Sequence, residues 1–161
     1  MWPRDRAGHP VRYAEHGADV VAADVCETGA PSTYELAFED DLAETVAMAR
    51  ERGTDAIGLQ CDVSNERDVE RAVERAVEEF GRIDPLANNA GIAPVSPLLY
   101  LDEATWDRTV DANLEGMWLC AKHAGRQMVD EAGMAGSSTR PRRPDLPHRR
   151  DWVSTPPRNT G

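Results

Sequence analysis

The chain has 161 residues and a formal net charge of −11. Leu, Ile, Val and Phe together supply 28 of these residues, about 17%, and so small a share beside so high a charge borders on the composition of chains that do not fold. The length suits one domain, no run of 18 apolar residues suggests a transmembrane helix, and the acidic balance repels the phosphates of nucleic acids and anionic membranes.

The start, Met1-Trp2-Pro3-Arg4-Asp5-Arg6, has no apolar stretch behind it and does not read as a secretory signal. Cys26, Cys61 and Cys120 are odd in number and far apart, which fits neither a disulfide framework nor a zinc site. A reducing cytoplasm is the expected location. The four His (9, 16, 123 and 148) form no ligand pair at helical spacing, so no metal is expected. Charge is unevenly spread: residues 1–16 sum to +1, residues 137–161 to +4, and residues 17–136 to −16.

In chain order, Val11 to Glu15 read as a short helix ended by His16-Gly17. Asp19-Val20-Val21-Ala22-Ala23-Asp24 reads as a buried strand with an acidic end. Residues 39–52 carry the helical stripe Leu42, Val46 and Ala49, stopped by Gly53. Ile57-Gly58-Leu59-Gln60-Cys61 reads as a second strand. Ser64 or Asn65 caps the next helix, where Val69, Ala72, Val73, Ala76, Val77 and Phe80 recur at helical spacing before Gly81. Its charged opposite face reads as solvated. A short strand is predicted near Leu86-Ala87-Asn88, with Pro85 at its first position. A long helix over about 104–131 places Trp106, Val110, Leu114, Met117, Ala121 and Met128 on one side. Strands alternating with long helices imply right-handed crossovers, a parallel α/β sheet, and ligands at the carboxyl ends of its strands.

Four features fall at or beyond those strand ends. Asp24 closes the first strand, where a carboxylate can accept both ribose hydroxyls of an adenosine; acids also close strands without a ligand. Asp62, in Cys61-Asp62-Val63, can meet an adenine amino group or equally cap the following helix. Asn88-Asn89-Ala90-Gly91-Ile92 suits a turn that brings backbone close to a ligand, or an ordinary Asn-Gly type turn. Asn113 lies on the inner face of a helix, where a buried amide needs partners; a tolerated core amide is the plainer reading. Asn113 and Gly116 are both poor formers of a helix interior.

In that order and at that spacing, these motifs resemble the short-chain dehydrogenase/reductases. Asp62 to Asn89 is 27 residues and Asn89 to Asn113 is 24, with Trp106 and the run Trp118-Leu119-Cys120-Ala121-Lys122 also in place. The resemblance covers about residues 11–133. It implies a Rossmann-like doubly wound parallel sheet and an NAD-dependent oxidoreductase acting on an alcohol/ketone pair. It implies that Asp24 and Val25 meet the adenosine ribose and favour NAD over NADP. Asp62 and Val63 would contact adenine, Asn89, Ala90 and Gly91 would line the cofactor, and Asn113 would hold a water of the proton relay. Ala23-Asp24-Val25-Cys26 looks like the subgroup related to carveol dehydrogenases, which keep NAD bound. The family also suggests a homo-oligomer.

The ends depart from that pattern. The family opens with a strand and a Thr-Gly-x-x-x-Gly-x-Gly loop that cradles pyrophosphate, but only Gly8 precedes the first helix here. Its active site needs Ser and Tyr-x-x-x-Lys; no Tyr follows Tyr100 and no Lys follows Lys122. The expected division is a non-homologous start over 1–10, a partial dinucleotide-binding domain over 11–133, and a disordered Arg/Pro-rich tail over 134–161. Codons offset by two bases suggest where the motifs went. In that frame residues 136–142 permit Ile-Val-Asn-Thr-Ser-Ser. The junctions after Ser154 and Arg158 permit Tyr and, four codons later, Lys. Residues 6–9 permit Gly-Arg-Ser, part of a Gly-rich loop. Both ends therefore read as out-of-frame translation of a dehydrogenase gene, a hypothesis that fails if the nucleotide sequence does not spell these motifs.

The sheet expected from this resemblance is incomplete, lacking its first strand and those after the fourth. The lost first strand lies between those ending at Asp24 and Asn88, leaving them two strand spacings apart. Weak, partly molten folding or direct pairing of the two strands is expected. An NAD-dependent oxidoreductase by descent, inactive as this chain, is the first functional expectation. A non-catalytic module binding a nucleotide or a partner subunit, or a non-functional gene product, are the alternatives.

Overall fold

The computed structural model describes residues 8–26, 39–84 and 86–135. The expectations for residues 1–7 and for the Arg/Pro-rich tail from 136 onward lie outside the described residues. The elements are α1 (Gly8–Glu15), β1 (Val20–Asp24), α2 (Glu39–Arg50), β2 (Ala56–Gln60), α3 (Glu66–Phe80), a 3₁₀ turn (Leu98–Tyr100), α4 (Glu103–Val110), a π-turn (Asp111–Glu115) and α5 (Gly116–Ala135).

β1 and β2 form a parallel pair with Val20 opposite Ala56 and Asp24 opposite Gln60. The Val20 N–H donates to the Asp55 carbonyl (2.9 Å) and the Cys61 N–H donates to the Asp24 carbonyl (2.8 Å). In a parallel ladder, alternate residues bond to alternate sides. Val20, Ala22 and Asp24 therefore serve β2, while the main-chain groups of Val21 and Ala23 point to the opposite edge. No strand adjoins that edge among the described residues.

Side chains follow the same alternation. Val20, Ala22 and Ala56 pack with Ala14 of α1 and Val46 and Ala49 of α2, flanked by Tyr13 and Leu42. Small residues let the helices approach closely; Cβ built on Gly58 would stand 3.1 Å from side-chain carbons of both Leu42 and Val46. The same residues bury little apolar area, and no large side chain is fully buried among the described residues. A second small cluster joins Cys61, Val69 and Leu119, with Ala72 and Cys120 against it, and fastens α3 to α5.

α3 forms as its periodicity requires. Asn65 is the cap, its side chain accepting from the Arg67 N–H at 3.1 Å. Gly81 ends the helix at φ +76°, a left-handed conformation that suits glycine.

Three expectations are corrected. Residues 86–88 do not form a strand. A parallel strand exists only as part of a ladder, and these residues have no ladder partner among the described residues; direct pairing with β1 does not occur. The long helix is interrupted by the π-turn at Asp111–Glu115, which splits it into α4 and α5. The predicted inner stripe is largely outward: Trp106, Leu114 and Met117 are exposed, while Gly116, Leu119 and Ala124 are buried. The stripe spacing is real, but the sheet this helix would cover has two strands among the described residues.

Candidate functional site

The site is built from the carboxyl ends of β1 and β2. Asp24 ends β1, and its Oδ1 accepts the Cys26 N–H at 3.0 Å. That bond closes a tight turn with Cys26 at φ +51°, a left-handed conformation rare for a residue with a side chain. The sequence reading missed this turn; the Asp two residues before it is the available signal. Val25 is tied across the edge, its carbonyl accepting from Gln60 Nε2 at 3.1 Å.

Asp62 leaves β2 on the same edge, through the Cys61 to Asp24 main-chain bond. Its Oδ1 accepts from the Ser64 N–H (2.9 Å) and the Ser64 hydroxyl (2.7 Å). Its own N–H donates to Asp68 Oδ2 at 3.3 Å. The capping alternative is thus partly realised: Asp62 holds the turn into α3, while Asn65 is the cap itself.

Val63 continues into α5. A Cβ on Gly116 would lie 2.7 Å from Val63 Cγ2 and 3.1 Å from Val63 Cβ, so only glycine permits this contact. Three residues earlier, Asn113 is half-buried and grips the main chain of Ile92 at both ends. The Ile92 N–H donates to Asn113 Oδ1 and Asn113 Nδ2 donates to the Ile92 carbonyl, each at 2.8 Å. Gly91 is required by the same grip, because its Cβ would stand 2.8 Å from Asn113 Oδ1. Asn88 Nδ2 adds a bond to the Met117 carbonyl at 3.3 Å. Asn89 and Ala90 are exposed on the loop so held.

Contacts therefore run from Asp24 through Cys61, Asp62, Val63 and Gly116 to Asn113, Gly91 and Ile92. This edge offers two carboxylates, an apolar side chain and a glycine-containing backbone loop, which fits the adenosine end of a dinucleotide. No Gly-rich loop at a helix N-terminus accompanies it among the described residues. The two cysteines beside the site have raised thiol pKa values. Burial, with Cys120 close by, pushes the Cys61 thiol up to about 12, and burial followed by the Asp24 carboxylate raises that of Cys26.

A second cluster escaped the sequence reading. Glu66 and Glu70 of α3 and His123 of α5 bring ligand-type atoms within 4.8 Å of one another. The Lys122 ammonium already sits on Glu66 Oε1, and His123 Nε2 lies 3.0 Å from the same oxygen. Lys122 also lies over the Trp118 ring, 5.0 Å from its centre. These contacts clamp α3 to α5. The Glu66–Glu70 spacing was visible; His123 is joined to it only by helix packing.

A short chain dehydrogenase family model matches residues 12–137. The (−)-trans-carveol dehydrogenase of Rhodococcus erythropolis is 36% identical over 131 residues, which are 81% of this chain and 47% of that protein. An uncharacterized NAD-dependent oxidoreductase of Mycobacterium tuberculosis is 35% identical over 130 residues, 80% of this chain and 47% of that protein. Among solved structures, carveol dehydrogenase from Mycobacterium avium in complex with NAD superposes with a TM-score of 0.74 at 29% identity, covering 78% of this chain and 46% of that one. The chain spans about half the length of these relatives. With the α/β edge described above, the match over most of its residues places the chain in the short-chain dehydrogenase family.

Proposed function

We propose that residues 11–133 are the adenosine-binding part of an NAD-dependent oxidoreductase acting on an alcohol/ketone pair, and that this chain alone binds nucleotide without transferring hydride. The observation that carries the reading is the common edge that joins Asp24 and Asp62 to the loop gripped by Asn113. The NAD-dependent and NAD-bound relatives support the choice of cofactor.

In this reading Asp24 Oδ2 accepts ribose hydroxyls while Oδ1 holds the Cys26 turn, and its negative charge disfavours the extra phosphate of NADP. Val25 stands beside it. Asp62 and Val63 meet adenine, and Asn89, Ala90 and Gly91 line the path toward the reacting end. Asn113 spends its side chain on Ile92, so its contribution to a proton-relay water comes from its main chain, at a π-turn where helical bonding is reorganised. NAD would supply the hydride acceptor. The chain has no Tyr after Tyr100 and no Lys after Lys122, so it offers no Tyr-x-x-x-Lys to move the proton.

Calorimetric titration with NAD tests this. Binding at micromolar levels, weakened by Asp24→Ala, is the expected outcome. Absence of NAD and AMP binding at millimolar ligand would reject the nucleotide reading and favour a product without this function. NADH formation from a panel of alcohols by the purified chain would overturn the inactivity.

A further inference from the structure

We infer that Gly116 is a positioning residue: by admitting Val63 against the π-turn, it fixes the adenine-side loop 62–63 relative to the loop 88–92. The inference rests on the nucleotide-binding reading for its consequence, though not for its geometry. Two loops from different strand ends meet one short piece of helix. Loop 88–92 is held by Asn113, whose amide bonds both main-chain groups of Ile92, and by the Met117 carbonyl, which accepts from Asn88. Loop 62–63 is held by Gly116, which lies between those two residues in sequence.

The π-turn makes this possible. The Gly116 N–H donates to the Asp111 carbonyl, five residues back, so one extra residue is accommodated in the turn. The Asp111 carbonyl then lies 3.3 Å from where a Gly116 Cβ would stand, and Val63 Cγ2 lies 2.7 Å from it. A methyl group at 116 has no free direction: it must push Val63 outward or open the turn that carries Asn113. Either movement changes the separation of the two loops. A dinucleotide spans both, whereas AMP needs only the edge of Asp24, Asp62 and Val63, whose strand ends are joined by the Cys61 to Asp24 main-chain bond.

The helix propensity of alanine gives the test a useful sign. In an ordinary helix interior Gly→Ala stabilises. Gly116→Ala should instead lower the thermal midpoint of this chain and speed exchange of the Ile92 amide about tenfold. In a Val63→Ala background, where the Cγ atoms are gone, the same change should raise the midpoint and leave that amide slow. NAD affinity should fall about tenfold in Gly116→Ala with AMP affinity held within about twofold, and in the double variant recover to the level of Val63→Ala alone. Val63→Ala alone adds no atom and leaves the π-turn unstrained, so the Ile92 amide should stay slow in it; if Gly116→Ala fails to fold, recovery of folding in the double variant reports on the contact.

Equal weakening of NAD and AMP would overturn the inference, because local damage would then explain both. So would a double variant that does not recover. If the unmodified chain binds neither nucleotide, the functional reading falls, and the Ile92 amide alone decides the coupling: faster exchange in Gly116→Ala reversed by Val63→Ala sustains it, and unchanged exchange overturns it.

Discussion

The α1-β1-α2-β2 half and the stretch from residue 86 to α5 are written in similar apolar residues but reach order differently. In the first, each strand finds the other, and helices close over one face around Ala14, Val20, Ala22, Val46, Ala49 and Ala56. In the second, Leu86, Val95, Leu98 and Leu99 lie exposed, and the loop is held by amide side chains against a helix. Strand propensity becomes a strand only where main-chain groups have a ladder to join. Val21 and Ala23 present such groups, and Asn88 lies in a stretch predicted to be a strand, yet no ladder joins them among the described residues.

The largest expected effect breaks the second region. Leu119→Ala, in the buried cluster that joins α3 to α5, should cost about 2–5 kcal/mol by loss of burial and cavity formation. Chemical denaturation should show the protection of α3 and α5 collapsing before that of β1 and β2. Loss of both at one midpoint would mean that the two regions fold as one unit. The paired half is itself weakly filled, so the whole chain should show no cooperative thermal transition above about 60 °C. A sharp calorimetric peak above that temperature would contradict this account of the incomplete sheet.

Alkaline pH should act on the same cluster. The Cys61 thiol is only 4% exposed, and its pKa rises from 9.0 to about 12 on folding. The folded state favours the neutral thiol, so stability is fully present below pH 9 and declines as pH rises from there toward 12. Cys61→Ser should blunt that decline more than Cys26→Ser, whose thiol is less buried. Ellman's reagent at pH 8 should label Cys26 well before Cys61. A smaller loss, about 1 kcal/mol, is expected for Asn65→Ala, which removes the cap of α3.

Much of this was legible from residues alone. The alternation of Val and Ala at 20–24, the period of α3 and its Gly81 stop encode their own conformations, and both strands lie within one residue of expectation. Asp24, Asp62 and Asn113 stand out in the sequence because strand ends and a polar residue in an apolar helix are local signals. The π-turn was not found, although Asn113 and Gly116 both disfavour a regular helix; what fixes it is contact with Ile92 and Val63, distant in sequence. The stripe of Trp106, Leu114 and Met117 misled for a related reason. Periodicity reports that a face is apolar, and only the fold determines what covers it. The Cys26 turn depends on one bond to Asp24 that no periodicity records.

The smallest effect expected separates a helix held by packing from one held by its cap. α3 has buried residues in Val69 and Ala76, whereas α4 has none. α4 starts at Asp102, which accepts the Thr105 N–H at 2.9 Å and the Thr105 hydroxyl at 2.8 Å. The Thr105 main-chain bond, then its hydroxyl, hold the Asp102 carboxyl below its ordinary 3.8. Because the folded value is the lower one, the contribution is complete above pH 3.8 and disappears as pH falls through the folded value. Lowering the pH toward 3 should therefore fray the first turn of α4, read as faster relative exchange of the Thr105 and Trp106 amides, with the first turn of α3 less affected because Asn65 does not titrate. Asp102→Asn should keep the cap while removing its pH dependence, and Asp102→Ala should fray α4 at every pH without shifting the exchange of Leu119. If Leu119 loosens with Asp102→Ala, the cap supports more than its own helix, and α4 belongs to the unit that α3 and α5 form.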